Sequence, residues 1–120
     1  MGLHNLNGKR GEDIAAEHLR KKGYKIIERN YKVSGGEIDI IASKNKFLVF
    51  VEVKTRSSLF AGRPAESVTA QKRARIIKAA KHYILKNGCR RQPRFDVVEV
   101  ILEKENFSLK EIVHLENVFC

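Results

Sequence analysis

The sequence predicts a single α/β domain over residues 1–120: a mixed β-sheet flanked by helices, in the order α-β-β-β-α-β-β. Three observations carry that reading. Two segments repeat apolar residues at helical spacing, and five others are short, β-branched and bounded by turn formers. The three strands ahead of the second helix are joined by turns so short that they read as an antiparallel meander. A chain of 120 residues, 42% hydrophobic, is long enough for one real core.

Residues 8–22 read as the first helix. Asn7 serves as its expected N-cap, Ile14, Ala15 and Leu19 mark an apolar face, and Gly23 is the stop. Tyr24–Val33 is the first strand and Ser34-Gly35-Gly36 its turn. Glu37–Ala42 follows, then the turn Lys44-Asn45-Lys46, then Phe47–Thr55. Residues 56–68 show no period and contain Gly62 and Pro64, so a mobile loop is expected there. Thr69 can cap a second helix that runs to Asn87, with Gly88 after it. Ile76, Ile77, Ala80, Tyr83 and Ile84 share one side of it; Lys72, Arg75, Lys78, His82 and Lys86 share the other. Arg94–Leu102 and Ser108–Leu115 complete the sheet, and Tyr24, Tyr31 and Tyr83 are expected in or near the core.

Charge narrows the partners. With 24 Lys and Arg against 14 Asp and Glu, the net charge is +10, which favours a polyanion. The longest apolar run, Phe47 to Val51, is far too short to span a bilayer. The N-terminus lacks the pattern of a signal peptide, and Cys89 and Cys120 are too few for a disulfide framework or a zinc site. No membrane association and a cytoplasmic location are the expectations.

The strand Phe47-Leu-Val-Phe-Val-Glu52-Val-Lys54 is apolar, yet it carries a carboxylate and an ammonium two residues apart. Residues i and i+2 of a strand share a face, so Glu52 and Lys54 emerge side by side. A turn at Lys44-Asn45-Lys46 pairs residues whose numbers add to about 90 or 91, which sets Asp39 opposite Glu52 or one step off. Two carboxylates that close repel unless a cation lies between them, and carboxylate oxygens with water suit Mg²⁺ or Mn²⁺. Such an ion can bind a scissile phosphate, with Lys54 balancing its charge. The competing reading is a cross-strand salt bridge on a solvated face, and the residues alone leave both open.

Asp39, Glu52-Val53-Lys54 and the helix residue Glu12 resemble the PD-(D/E)xK nuclease signature. Gly8-x-x-Gly11-Glu12-Asp13-x-Ala15, Gly36-Glu37-Ile38-Asp39-Ile40-Ile41, Phe50-Val51-Glu52-Val53-Lys54-Thr55-Arg56 and Arg94-Phe95-Asp96-Val97 together resemble the YraN family of small endonuclease-like proteins. Archaeal Holliday-junction resolvases, which are dimers, are related to it. The resemblance implies a restriction-endonuclease-like core, Mg²⁺ or Mn²⁺ held by Asp39 and Glu52, Lys54 as catalytic lysine and Glu12 as an additional acid. Glu37, on the same strand, becomes a candidate second ligand or supporting acid. The implied activity is metal-dependent hydrolysis of phosphodiesters in structured or branched DNA, in a homodimer. The alternative is a nuclease-like module that holds nucleic acid within a repair or processing assembly and cuts weakly or not at all. Ile38 replaces the signature's proline. Gln71 is followed four residues later by Arg75, so the Gln-x-x-x-Tyr element of RecB-type nucleases is missing.

From Thr69 to Arg94 there are nine Lys or Arg residues and no acid. Such a stretch can be a solvated face or a phosphate-binding one. Lys72, Arg73 and Arg75, with Arg56 and Arg63 of the loop, are the candidate nucleic-acid contacts, and Arg73 is expected to project toward the cleft. Gly8-x-x-Gly11 is best explained by close helix packing, and Asp96 by a structural salt bridge near Arg94. His4, His18, His82 and His114 are too scattered to support a His-based catalytic or zinc centre.

Overall fold

The computed structural model describes residues 3–57 and 69–119. Its elements follow the expected order: α1 (Leu3–Lys21), β1 (Lys25–Val33), β2 (Gly36–Lys44), β3 (Phe47–Ser57), α2 (Ala70–Asn87), β4 (Gln92–Leu102) and β5 (Leu109–Phe119). The five strands form one mixed sheet in sequence order, and only β3 and β4 run parallel. Parallel neighbours need a crossover, and the segment holding α2 supplies it.

Local chemistry explains most boundaries. The Thr69 hydroxyl accepts a hydrogen bond from the Lys72 amide, Gly88 ends α2 at φ 77°, and Gly23 ends α1 at φ 93°. The left-handed region is open to glycine at little cost. Asn7 does not cap α1, because the helix already begins at Leu3. The expected loop at 56–68 is corrected at its first two residues, and residues 58–68 lie outside the described ones. Arg56 and Ser57 are the end of β3, opposite Ile101 and Leu102, and Arg63 lies outside the described residues.

Each face of the sheet carries its own core. Ala15, Ala16 and Leu19 of α1 cover Ile40, Val49, Val51, Val98 and Val100. Ile76, Ala79, Ala80 and Tyr83 of α2 cover Tyr31, Ile41, Phe50 and Phe95. Tyr24 is buried on the α1 side, so all three tyrosines are core residues. Burial of this apolar area is the main stabilising term. His82 is exposed, as expected of the outer side of α2, and its Nδ1 lies 2.6 Å from the Tyr31 hydroxyl.

Two glycines let a helix approach the sheet. A Cβ on Gly11 would fall 1.9 Å from Oγ1 of Thr55, which accounts for the glycine by close packing. At Gly36 a Cβ would meet backbone, the Arg75 carbonyl oxygen at 2.5 Å and the Ala79 nitrogen at 3.1 Å. Backbone cannot rotate aside as a side chain can. Gly36→Ala is therefore expected to cost about 1–3 kcal/mol by forcing α2 off the sheet. The measurement is the urea midpoint at unchanged m-value; an unaltered midpoint would contradict the contact.

A buried polar network closes the end of the sheet away from the cleft described below. Asp96 accepts from Arg94 Nε at 3.0 Å, Arg94 Nη2 at 2.8 Å and the Asn117 amide at 3.0 Å, and its Oδ2 lies 2.7 Å from His114 Nε2. Arg94 also donates to the Tyr24 hydroxyl and stacks over Phe47. Burial raises the Asp96 pKa, but these bonds outweigh it and hold the carboxylate below its ordinary value. Asp96 is structural, as its sequence context suggested.

Candidate active site

The β2–β3 ladder holds from Lys44↔Phe47 to Ile40↔Val51, in pairs whose numbers add to 91. One step further, the same register sets Asp39 against Glu52, and there the two strands part. β3 continues alone beside β4, so a main-chain donor of β3 loses its strand partner. The Asp39 carboxylate takes its place, with Oδ2 accepting from the Val53 amide at 2.8 Å. Regular alternation also breaks at this point, since Ile38 lies in the α2-side core and Ile40 in the α1-side core. Opposite Asp39, between the pairs Arg29↔Ile40 and Tyr31↔Ile38, Asn30 adopts φ 55°. This kink frees Asp39 from both faces and turns it into the gap between β2 and β3.

The Asp39 and Glu52 carboxyl groups are close enough to shift one another's proton affinity. Burial first, then the negative charge of Glu52 and of Glu12, pushes Asp39 up to about 8, against the Val53 amide, which favours the ionised form. Glu52 is also raised, by burial. Burial beside a second carboxyl group thus favours the protonated form of Asp39. Two ammonium groups stand at the same Glu52 oxygen, Oε2: Lys54 Nζ at 3.6 Å and Lys72 Nζ at 3.7 Å.

Asp39, Glu52 and Lys54 line a cleft of about 720 Å³ that runs along β3, past Arg56, to the β4–β5 connection. Glu12 borders it from α1, where Arg29 Nη2 lies 3.6 Å from its carboxylate and 2.8 Å from that of Asp13. The structure thus brings together Glu12, Asp39, Glu52 and Lys54. Glu37 is different. It is exposed, outside the described cleft lining, and reaches the site only through the charge it presents to Glu52. The broken alternation at Asp39 separates the two acids that a regular strand would have placed together.

The basic candidates divide similarly. Lys72 stands four residues before buried Ile76 and so shares the inward stripe of α2, which carries its ammonium to Glu52. Arg73 and Arg75 are exposed. The expected inward course of Arg73 is wrong by one residue, a rotation of about 100° around a helix. Arg56 lines the cleft, with Nε 2.6 Å from Oε2 of Glu99, a carboxylate only 2% exposed. Glu99 escaped notice in the sequence, although a carboxylate inside the apolar run Asp96-Val-Val-Glu-Val-Ile101 was a visible signal of a buried partner.

The profile of the uncharacterised protein family UPF0102 matches residues 11–100, three quarters of the chain. The chain belongs to the UPF0102 family. A UPF0102 protein of Caldanaerobacter subterraneus subsp. tengcongensis is 48% identical over 113 residues, covering 93% of each chain. One from Chlorobium phaeobacteroides is 45% identical over 119 residues, covering 96% of this chain and 94% of its own. A third, from Flavobacterium psychrophilum, is 43% identical over 119 residues, covering 99% and 98%. The stretch that defines UPF0102 membership contains Glu12, Asp39, Glu52 and Lys54 and the whole β2–β3 gap. No described helix of this UPF0102 chain is long and apolar enough to cross a membrane.

Does the site fit a divalent ion? Among the described residues, no three His, Cys, Asp or Glu side chains gather into a cage. Mg²⁺ does not require one, because it keeps several waters and binds through one or two carboxylates plus substrate phosphates. Two converging carboxyl groups are such a donor set, and a cation would compete with the proton that burial favours on Asp39. The residues fit.

Proposed function

We propose that this protein is a divalent-metal-dependent DNA endonuclease on a restriction-endonuclease-like core, acting on structured or branched DNA. One observation carries the reading: Asp39 and Glu52 converge at the point where β2 and β3 part, with Lys54 beside them, in a chain of net charge +10. Asp39 and Glu52 would hold Mg²⁺ or Mn²⁺, which when bound supplies positive charge to the phosphate oxygens and activates water for hydrolysis. The chain's own groups do the rest. The Lys54 ammonium presents a compact charge to a non-bridging oxygen. Glu12, steadied by Arg29, borders the cleft as a proton acceptor. Lys72, with Arg73 and Arg75 on the same helix end, neutralises backbone phosphates without reading sequence.

A second reading is favoured by a separate observation. Lys54 and Lys72 already compensate Glu52, so the site is electrostatically tolerable without a metal, as a binding-only module would require. Cleavage separates the two. The protein is incubated with junction, flap, duplex and single-stranded DNA in Mg²⁺ or Mn²⁺, beside Asp39→Ala, Glu52→Ala and Lys54→Ala. The expected result is cutting of at least one substrate, slowed about 10²-fold or more by each substitution. No cutting of any substrate, or cutting that survives all three changes, overturns the nuclease reading.

A further inference from the structure

The cleft has two chemically different ends. One holds the carboxyl pair and Lys54; the other is built from Leu102, Glu103, Lys104 and Phe107 around the β4–β5 connection. Lys54, and a cation held by the carboxyl pair, would suit a phosphate at one end, and Leu102 and Phe107 a flat apolar group at the other. A nucleotide has that character, and a bare phosphate chain does not.

Phe107 is the distinctive element. Its backbone sits at φ 56°, a conformation that glycine or asparagine adopts readily and a bulky residue adopts at a cost of about 1–3 kcal/mol. The strain is held from several directions. The Phe107 amide donates to the Glu103 carbonyl at 2.9 Å, and its own carbonyl accepts from Arg10 Nε at 2.9 Å. Beside it, the Ser108 hydroxyl and amide both bond to Asn106 Oδ1. Arg10 belongs to α1, the helix that brings Glu12 to the same cleft, so the aromatic ring and the acidic end are tied to one rigid element. The ring packs partly on the α1-side core and partly borders the cleft. A core-filling role alone would not explain why the ring is set on a strained turn.

We propose that Phe107 is a stacking platform for an unpaired nucleobase, in a subsite that continues the phosphate-binding end of the cleft. This rests on the nuclease reading and names its substrate class: DNA with an unstacked base close to the scissile phosphate. A base within a duplex is sandwiched between its neighbours and cannot lie on the ring. Extruding one costs a few kcal/mol, less at a junction, a flap or a single-stranded end. Every base has a π face, so the subsite reads strandedness, with Glu103 and Lys104 at its edge to meet the base's polar rim.

The test separates this subsite from the reading beneath it. Binding is measured in chelator, where no cutting occurs, to short DNA strands carrying 2-aminopurine at successive positions, single-stranded and fully paired. Wild type is expected to quench the probe on binding at one or two unpaired positions. Phe107→Leu, which keeps the apolar bulk, should lose the quench and weaken single-strand binding about tenfold, with duplex binding unchanged. Phe107→Tyr should retain both properties, and melting curves confirm that each variant folds. Equal quenching by wild type and a folded Phe107→Leu, or an unchanged ratio of single-strand to duplex affinity, overturns the subsite alone. No binding to either form of DNA overturns the nuclease reading with it.

Discussion

Asp39→Asn is expected to raise the melting temperature of the metal-free protein at pH 8 to 9 while removing its response to Mg²⁺ or Mn²⁺. The sign follows from the proton on Asp39. In the folded protein that proton leaves only near pH 8, whereas an unfolded aspartate releases it near the ordinary carboxylate value of about 3.9. Between those two values the folded state binds a proton that the unfolded state has lost. This contribution to stability is therefore complete below about pH 4 and declines as pH rises through 8. Its size is on the order of a few kcal/mol, because the Glu52 charge adds to burial. Asparagine cannot ionise, can still accept from the Val53 amide, and offers its own N–H to Glu52. The variant should match wild type near pH 4 and exceed it by several degrees at pH 9. A divalent ion competes for the deprotonated pair, so it should raise the wild-type melting temperature at pH 8 and leave the variant unmoved. Parallel pH profiles for the two proteins would refute the raised proton affinity of Asp39.

The second large effect is expected far from the cleft. Asp96→Ala should destabilise the protein by about 3–5 kcal/mol, since it removes the only carboxylate buried against Arg94 and His114 among the described residues. Arg94 would keep the neutral Tyr24 hydroxyl and the Phe47 ring, but only an exposed carboxylate, Glu116 at 3.5 Å, for its charge. The loss is a large fraction of the 5–15 kcal/mol that holds a typical domain together. Denaturant unfolding measures it, and a cycle with Arg94→Met tells pairing from packing. Removing the arginine as well should restore part of the stability, because a buried charge without a partner costs more than no charge at all. Additive losses in the double variant would show that the pair is not coupled. The fold and the cleft thus draw on two different carboxyl groups: Asp96, whose donors favour the ionised form, and Asp39, whose burial and acidic neighbours favour the protonated one.

Much of this arrangement is legible in the sequence. Helix and strand order follow from periodicity and turn residues, which act over a few positions. The Asp39–Glu52 pairing follows from one tight turn, because a hairpin's register is a count. Lys54 follows from the two-residue repeat of a strand. The misplacements have a different origin. Arg73 in place of Lys72, and Glu37 beside Asp39, assume ideal elements. The rotation of α2 is set by Ile76, Ala79 and Tyr83 seating on the sheet, and the strand irregularity at Asp39 by Asn30 across from it. Arg56 read as loop because polar residues end the apolar run, yet β4 pairs with it and Glu99 partners its charge.

By itself, then, the sequence determined a mixed sheet with two helices, a basic helix and an acid–acid–lysine group at one strand gap. Those are properties of neighbours along the chain or across one turn. The tertiary structure decided which cations meet Glu52, that Asp39 favours its protonated form, and that Phe107 is held on a strained turn at the far end of the same cleft. Each of these depends on burial and on contacts between α1, β3 and the β4–β5 connection. No local pattern encodes such contacts, because they exist only once distant segments exclude water together.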